Sequence, residues 1–156
     1  MGVRATKILV GLLVGPHELG HAIPAAVAGL SPEITILPTW DGATPLGQFD
    51  ATVPASTPRA VIRFCALAPL PLYLSVAIVL GTILPAESPV TMVLFPLVAF
   101  WATLSVGDIA VAANPAAVRE AGRFQAPTKE WQILVFLLLI PVVTGIVAVV
   151  LFTDIL

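Results

Sequence analysis

The stretch "GPHELGHA", residues 15–22, lies within "KILVGLLVGPHELGHAIPAAVAGL", an apolar run that is otherwise almost free of polar side chains. It contains both histidines of the chain, His17 and His21, with Glu18 between them. The run is about as long as the ~20 residues that a helix needs to cross a hydrocarbon core. Ionisable side chains are costly inside a membrane, so this cluster indicates a functional site.

The composition of the whole chain agrees with a membrane location. Of its 156 residues, 58% are hydrophobic and 10% are charged, whereas about a quarter of the residues of a soluble domain are charged. The sequence predicts an all-α polytopic membrane protein that forms a single domain, 1–156, in the lipid bilayer. Hydropathy predicts four transmembrane helices, over residues 7–30, 60–84, 90–113 and 131–152.

The charged residues indicate which partners are excluded and how the chain is oriented in the membrane. The formal net charge is −2 and no basic cluster is present, which argues against a nucleic-acid partner. Basic residues are more frequent on the side of the two longer loops, so the positive-inside rule predicts cytoplasmic loops and an N-terminus outside. The N-terminal side has Arg4 and Lys7, and the loop side has Arg59, Arg63, Arg119, Arg123 and Lys129.

The spacing of the two histidines is that of a metal site. At i and i+4 on a helix, the side chains of His17 and His21 project from one face, where both can reach a metal at ~2.0–2.1 Å. Glu18 lies on the adjacent flank, where it can take a proton from a water at the metal, as in zincins. Gly20 lets another segment approach closely. Pro24 frees the Gly20 carbonyl beside His21 as an acceptor for water or a ligand histidine, and the alternative for this proline is an ordinary helix kink. The alternative is a helix whose histidines are satisfied by contacts within the bundle.

A third protein ligand is expected, because catalytic zinc has three protein ligands and an open position. Within the other apolar segments the candidates are Cys65, which is expected to pack as a small hydrophobe, and Asp108. Asp108 is favoured because it lies about a turn and a half from its predicted helix end, with no Lys or Arg nearby on that helix to pair it. The alternative for Asp108 is that it serves as a carboxylate at a helix end, where it reaches water or is held by Ser105. At 1.5 Å per residue, His21 would lie ~13 Å and Asp108 ~8 Å from the same membrane face. The remaining acidic residues fall in loops or at the terminus: Glu33, Asp41, Asp50, Glu87, Glu120, Glu130 and Asp154.

The motifs resemble those of a known family. "HELGH" in a first transmembrane helix and an aspartate on a later one are similar to the site-2 protease class of intramembrane zinc metalloproteases. The form "SVGDI", residues 105–109, is closer to a small branch of membrane zincins than to the main branch, whose aspartate sits in an LDG motif that contains asparagine and proline. The resemblance covers the first three predicted helices.

The resemblance implies a zinc ion held by His17, His21 and Asp108, with Glu18 as the base. It implies hydrolysis of peptide bonds within or beside a transmembrane helix of a substrate membrane protein. No asparagine precedes Asp108, so stabilisation of the transition state is expected from Ser105, a backbone amide or water.

The loop after the first helix, residues 31–58, contains two β-prone segments, "EITILP" and "GQFDATV", separated by turn residues. They predict a short hairpin at the membrane surface. We expect Ile34, Ile36 and Phe49 to help form an edge strand that holds a substrate peptide extended. The alternative is a hairpin that only closes the loop.

The expected activity is therefore that of a zinc-dependent intramembrane endopeptidase whose site opens to the cytoplasm. One alternative is a non-catalytic membrane protein that uses the His/Glu/Asp cluster to bind, transport or sense a metal or protons. An inactive zincin that serves as a binding subunit is another. A transporter usually needs a polar path to both faces, whereas the polar residues here are biased towards one.

Overall fold

The computed structural model describes residues 3–37 and 46–153. Asp41 and Asp154, which the sequence assigns to a loop and to the terminus, lie outside these residues. The elements in chain order are α1 Val3–Val27, β1 Ser31–Ile36, β2 Gly47–Thr52, α2 Arg59–Leu67, α3 Pro69–Ile83, α4 Pro89–Ala102, α5 Val106–Ala113, α6 Pro115–Ala121 and α7 Glu130–Phe152.

The predicted multi-pass helical architecture is confirmed. Three stretches are long and apolar enough to cross a membrane, Ala5–Val27, Pro89–Ala113 and Glu130–Phe152. A fourth span is formed if α2 and α3, which meet at 42°, are counted as one bent crossing. The chain is thus a multi-pass membrane protein with three or four spans among its described residues.

The first helix was predicted to end at residue 30, but it ends at Val27. Gly29 has φ +77°, and the amides of Gly29 and Leu30 donate to the carbonyls of Ala26 and Ala25, at 3.0 and 2.9 Å. This is a glycine-terminated helix end, in which the left-handed residue turns the chain away. His21 therefore lies six residues from the helix end, or ~9 Å, which brings its depth close to that of Asp108.

Two of the predicted continuous helices are interrupted. The prediction of one helix over 60–84 is wrong at Pro69, which has no amide to continue α2 and begins α3 at an angle of 42°. The prediction of one helix over 90–113 is wrong at Thr103–Ser105, where α4 ends and Ser105 becomes the N-cap of α5. Asp108 consequently lies in the first turn of a new helix.

The predicted hairpin after the first helix is confirmed. β1 and β2 are antiparallel, with Ile34 opposite Phe49 and Ile36 opposite Gly47, and the pair packs against α1. The loop after α5 also contains a short helix, α6, that the sequence analysis did not predict. It starts at an Asn114 cap and ends at Gly122, which has φ +68°.

The buried side chains form two clusters, and the candidate site lies where they meet. One cluster joins the end of α1 to β2, α2 and α5, and includes Phe49 and Cys65. The other joins α3, α4 and α7, with Trp101 packed against it. The carbonyls of Cys65 and Trp101 each contact one histidine of α1, so both clusters fix the position of the site.

Candidate metal centre

The three predicted ligands converge. His17 Nε2 lies 3.3 Å from Asp108 Oδ2, and His21 Nε2 lies 3.2 Å from Asp108 Oδ1. The two Nε2 atoms are 3.3 Å apart. His21 is almost fully buried, with 1% of its surface exposed, and His17 has 9% exposed. Residues from distant parts of the sequence are thus brought into one cluster by α1 and α5.

These separations fit a tetrahedral metal. Two donor atoms at the ~2.0–2.1 Å bond lengths of zinc lie about 3.3–3.4 Å apart at a tetrahedral angle, which matches the 3.3 Å between the two imidazole Nε2 atoms. Each imidazole faces a different oxygen of Asp108, at 3.3 Å for His17 and 3.2 Å for His21. Two imidazole nitrogens and a carboxylate oxygen suit zinc, and the same set also suits ferrous iron. Among the described residues, His17, His21 and Asp108 form the one group whose potential ligand atoms all lie within 4.8 Å of one another. A metal ion held by these three residues would have no fourth protein ligand within this group.

Main-chain carbonyls orient both imidazoles. His21 Nδ1 lies 2.8 Å from the Cys65 carbonyl oxygen, and His17 Nδ1 lies 2.9 Å from the Trp101 carbonyl oxygen. Since a carbonyl only accepts, each Nδ1 carries the hydrogen, and in its neutral form each imidazole presents a lone pair at Nε2. The carbonyl that orients His21 is that of Cys65, and not the Gly20 carbonyl that Pro24 was expected to free for water or a ligand histidine. Cys65 contributes its main chain to the site, whereas its buried thiol is a free cysteine outside the ligand group.

Asp108 is held by the start of its own helix. The Ser105 amide donates to Asp108 Oδ2 at 2.7 Å, and the Asp108 amide donates to Ser105 Oγ at 3.2 Å. This reciprocal pair is a capping box, which satisfies two amides at the helix start and fixes the carboxylate. Asp108 is therefore held by Ser105, as the alternative interpretation of the sequence predicted, and it also faces both imidazoles.

The electrostatics of the cluster call for a cation. With both Nδ1 atoms donating to carbonyls, two Nε2 lone pairs and a carboxylate face one another within 3.3 Å. Such a set of acceptors is repulsive unless a metal ion or added protons lie between them. A divalent ion would also compensate Asp108 and the nearby Glu18, whose charges would otherwise be uncompensated in an apolar region.

Glu18 occupies the flank of α1 beside the ligands and is outside the ligand group. It is half-buried and lines the same cavity as His17 and Asp108. Its carboxylate lies against β2: a Cβ at Gly47 would fall 2.9 Å from Glu18 Oε1 and 2.8 Å from Val14 Cγ2. Gly47 therefore permits the close approach that places Glu18 on the cavity wall.

The cavity beside the cluster has a volume of about 1300 Å³. One part is polar and is lined by residues such as Glu120 and Gln125, from α6 and the following loop. The other part is apolar and lies between α4 and α7, with Phe100 and Phe136 among its walls. Polar side chains of the α6 region and an apolar wall between α4 and α7 thus line one cavity.

The three residues expected at the substrate strand have different positions. Phe49 lines the cavity and stacks on His21 with ring centroids 5.5 Å apart, and Phe124 meets Phe49 edge to face at 4.8 Å. Ile34 and Ile36 lie on β1, outside the lining of the cavity; Ile36 packs towards Gly11 of α1. The strand next to the cavity is β2.

The edge of β2 away from β1 faces other elements and the cavity. The Leu37 amide donates to the Leu46 carbonyl at 3.0 Å, so the alternation of an antiparallel ladder directs the main-chain groups of Gly47 and Phe49 to the outer edge. At the far end of β2, Val53 donates to the Gly122 carbonyl at 2.9 Å. The outer edge is thus paired at that end, and its Gly47–Phe49 portion borders the cavity.

The fold and the cluster define a class: a multi-pass helical membrane protein with a buried His/His/Asp site that can hold a metal ion. No family model, curated protein or solved structure matches the chain in the three comparisons made with known proteins. Its function is therefore inferred from the site and from the sequence motifs.

Proposed function

We propose that this chain is a zinc-dependent intramembrane endopeptidase. The observation that supports this most is the meeting of His17, His21 and Asp108 at 3.2–3.3 Å, with Glu18 on the wall of the same cavity. Two imidazoles, one carboxylate and a separate glutamate are the parts of a hydrolytic zinc site. Ferrous iron sites can use the same ligand set of two histidines and one carboxylate. The additional glutamate, Glu18, is typical of hydrolytic zinc sites and favours zinc over iron.

Zinc bound by these ligands would supply a Lewis acid that activates water and polarises a carbonyl. Glu18 accepts a proton from the attacking water while the water oxygen forms a bond to the peptide carbonyl carbon. The peptide C–N bond then breaks, and Glu18 returns the proton to the leaving nitrogen. Stabilisation of the developing negative charge by Ser105 stays a prediction; Ser105 lines the cavity and its amide is already paired with Asp108.

The substrate is proposed to be a transmembrane segment of another membrane protein. Hydrolysis needs an extended backbone, and the outer edge of β2 borders the cavity at Gly47, where its main-chain groups could pair with one. The Phe49 main chain on the same edge meets the Glu18 carboxylate. The apolar part of the cavity, between α4 and α7, can accept the adjoining helical portion. The proposed substrate strand is thus β2 in place of β1, and Phe49 keeps its expected role.

The site is proposed to open to the cytoplasm. The polar part of the cavity is formed by α6 and the following loop, the region that contains Arg119, Arg123 and Lys129. By the positive-inside rule this side is cytoplasmic. A cysteine placed at Gln125 in a Cys65→Ala chain should react with a membrane-impermeant maleimide in inside-out vesicles only; labelling in right-side-out vesicles would contradict this orientation.

The central test compares Glu18→Gln with the wild type. The chain is reconstituted in lipid vesicles with a fluorogenic peptide that contains one apolar helix of about 20 residues. Loss of a positioned base should lower the cleavage rate about 10²–10⁴-fold, while metal content measured by mass spectrometry stays equal. Glu33→Gln is the matched control, since Glu33 is exposed on β1 and lies outside the cavity lining, and it should cleave like the wild type.

The outcomes separate the proposal from its alternatives. A Glu18→Gln variant that cleaves at the wild-type rate would remove the assigned base. Bound metal without cleavage in the wild type would favour a metal-binding or inactive zincin role. Absence of bound metal in the purified wild type would favour a proton site, and iron in place of zinc would indicate a different chemistry.

A further inference from the structure

We infer that Pro69 is a positioning residue for the metal centre, because the break that it makes in the second span frees the Cys65 carbonyl to orient His21. His21 Nδ1 lies 2.8 Å from that carbonyl oxygen. The inference rests on the proposed metal binding at His17, His21 and Asp108. It adds Pro69, a residue of another span that belongs to neither the HELGH nor the SVGDI motif.

The missing helical bond is a direct result of the proline. In a continuous α-helix the amide of residue 69 would donate to the carbonyl of residue 65. Pro69 has no amide hydrogen, although the preceding residue, Ala68, keeps helical angles of φ −59° and ψ −34°. The Cys65 carbonyl therefore lacks its usual helical partner and accepts from His21.

Pro69 also packs directly against the metal-binding helix. A Cβ at Gly20 would fall 3.1 Å from both Cα and Cγ of Pro69 and 3.2 Å from its Cβ. Gly20 immediately precedes His21, so this close approach fixes the relative positions of the imidazole and of the carbonyl that it contacts. The expected closeness at Gly20 is thus confirmed, and Pro69 is the residue that approaches.

In the third span, a helix break likewise frees a main-chain carbonyl that contacts His17. In a continuous helix the Trp101 carbonyl would accept from the Ser105 amide, but that amide donates to Asp108 Oδ2 at 2.7 Å. The freed Trp101 carbonyl contacts His17 Nδ1 at 2.9 Å. Each of two interrupted spans therefore exposes one carbonyl, and each carbonyl orients one imidazole with Nε2 towards Asp108.

The expected effect of restoring the amide follows from this arrangement. In Pro69→Ala the new amide competes with His21 for the Cys65 carbonyl, and the loss of the ring loosens the contact with Gly20. The imidazole of His21 then loses the partner that fixes its orientation. Removing hydrogen bonds of this kind usually lowers metal affinity 10–100-fold.

The matched control is Pro71→Ala. Pro71 lies two residues further along the same helix, and it too lacks an amide. The carbonyl that it leaves without a helical partner is that of Leu67, a residue with 40% of its surface exposed and outside the lining of the cavity. A general effect of losing a proline from this bent span would therefore appear in both variants.

The experiment measures zinc affinity by chelator competition for the purified wild type, Pro69→Ala and Pro71→Ala, together with thermal unfolding of the metal-free forms. We expect a 10–100-fold loss of affinity for Pro69→Ala and wild-type affinity for Pro71→Ala. A Pro69→Ala variant that binds zinc like the wild type, or an equal loss in both variants, would overturn the inference. If the wild type binds no zinc, the proposed metal centre itself fails.

A second measurement needs no variant of Pro69. Because the chain has only two histidines, ¹⁵N-histidine labelling resolves each imidazole, and His21→Asn assigns them. The hydrogen bond to Cys65 requires that His21 carry its hydrogen on Nδ1. A spectrum of the wild type with the His21 hydrogen on Nε2 would refute the role of Pro69 even if Pro69→Ala failed to fold.

Discussion

Substitution of Gly20 by alanine tests the packing that joins α1 to the bent second span. The added Cβ would lie 3.1 Å from Pro69 Cα and Cγ, closer than ordinary van der Waals contact, and a main-chain atom cannot move aside as a flexible side chain can. Overpacking of this kind costs about 1–3 kcal/mol. Alanine gains about 0.5–1 kcal/mol over glycine within a helix, so the net loss lies between about 0 and 2.5 kcal/mol.

Gly15→Ala is the control on the same helix. A Cβ at Gly15 would meet no atom within 4 Å, so only the helix-propensity gain applies and the variant should be slightly more stable. The two variants should therefore differ by the overpacking cost, about 1–3 kcal/mol.

Urea unfolding of the metal-free chains in mild detergent gives these stabilities, and chelator competition gives the zinc affinity. Gly20→Ala should bind zinc more weakly, because Pro69 and the Cys65 carbonyl are displaced from His21. Equal stability and equal affinity for Gly15→Ala and Gly20→Ala would show that the close approach of Pro69 to Gly20 does not constrain the site.

Three further substitutions or treatments follow from the same geometry. Gly47→Ala should lower cleavage while zinc stays bound, because its Cβ would displace Glu18; rate and metal content are measured on one preparation. Asp50→Ala should cost about 1–3 kcal/mol in urea unfolding, because the Phe124 amide loses the carboxylate oxygen that it now reaches at 2.9 Å. Removing zinc from a sample at about 1,000 times its dissociation constant should lower the unfolding free energy by about 4 kcal/mol, whereas Asp108→Ala should respond little to the chelator.

The sequence was sufficient to predict the spans because apolar length is a direct signal. The segments 7–30, 60–84, 90–113 and 131–152 all contain helices that lie within a few residues of those bounds. The interruptions were missed for a physical reason: both lie inside segments that are apolar as a whole, and proline also occurs in membrane helices that merely bend. Whether a break separates two helices depends on what its freed carbonyl contacts.

The ligands were predictable because ionisable side chains are rare in the apolar segments. His17, His21 and Asp108 could be selected on that ground and converge as expected. Their carbonyl partners could not be selected, since every residue has a carbonyl and only tertiary packing determines which one is free. Pro24 was chosen by proximity in sequence, whereas the carbonyl that contacts His21 comes from a different span. Phe49 was named for a substrate strand, and its stacking on His21 had no signal in the sequence.

The arrangement of α1 separates ligands from the proposed base. At about 100° per residue, His17 and His21 differ by about 40°, and Glu18 lies about 60° beyond His21. That rotation turns the glutamate towards Gly47 of β2 and the cavity, whereas both histidines point to Asp108. A site that only stores metal would gain affinity from a fourth protein ligand, yet the nearest carboxylate on the helix is kept outside the ligand group. This division of the helix surface is the one that the proposed hydrolytic mechanism requires, since it would leave a coordination position for a reacting molecule with Glu18 beside it.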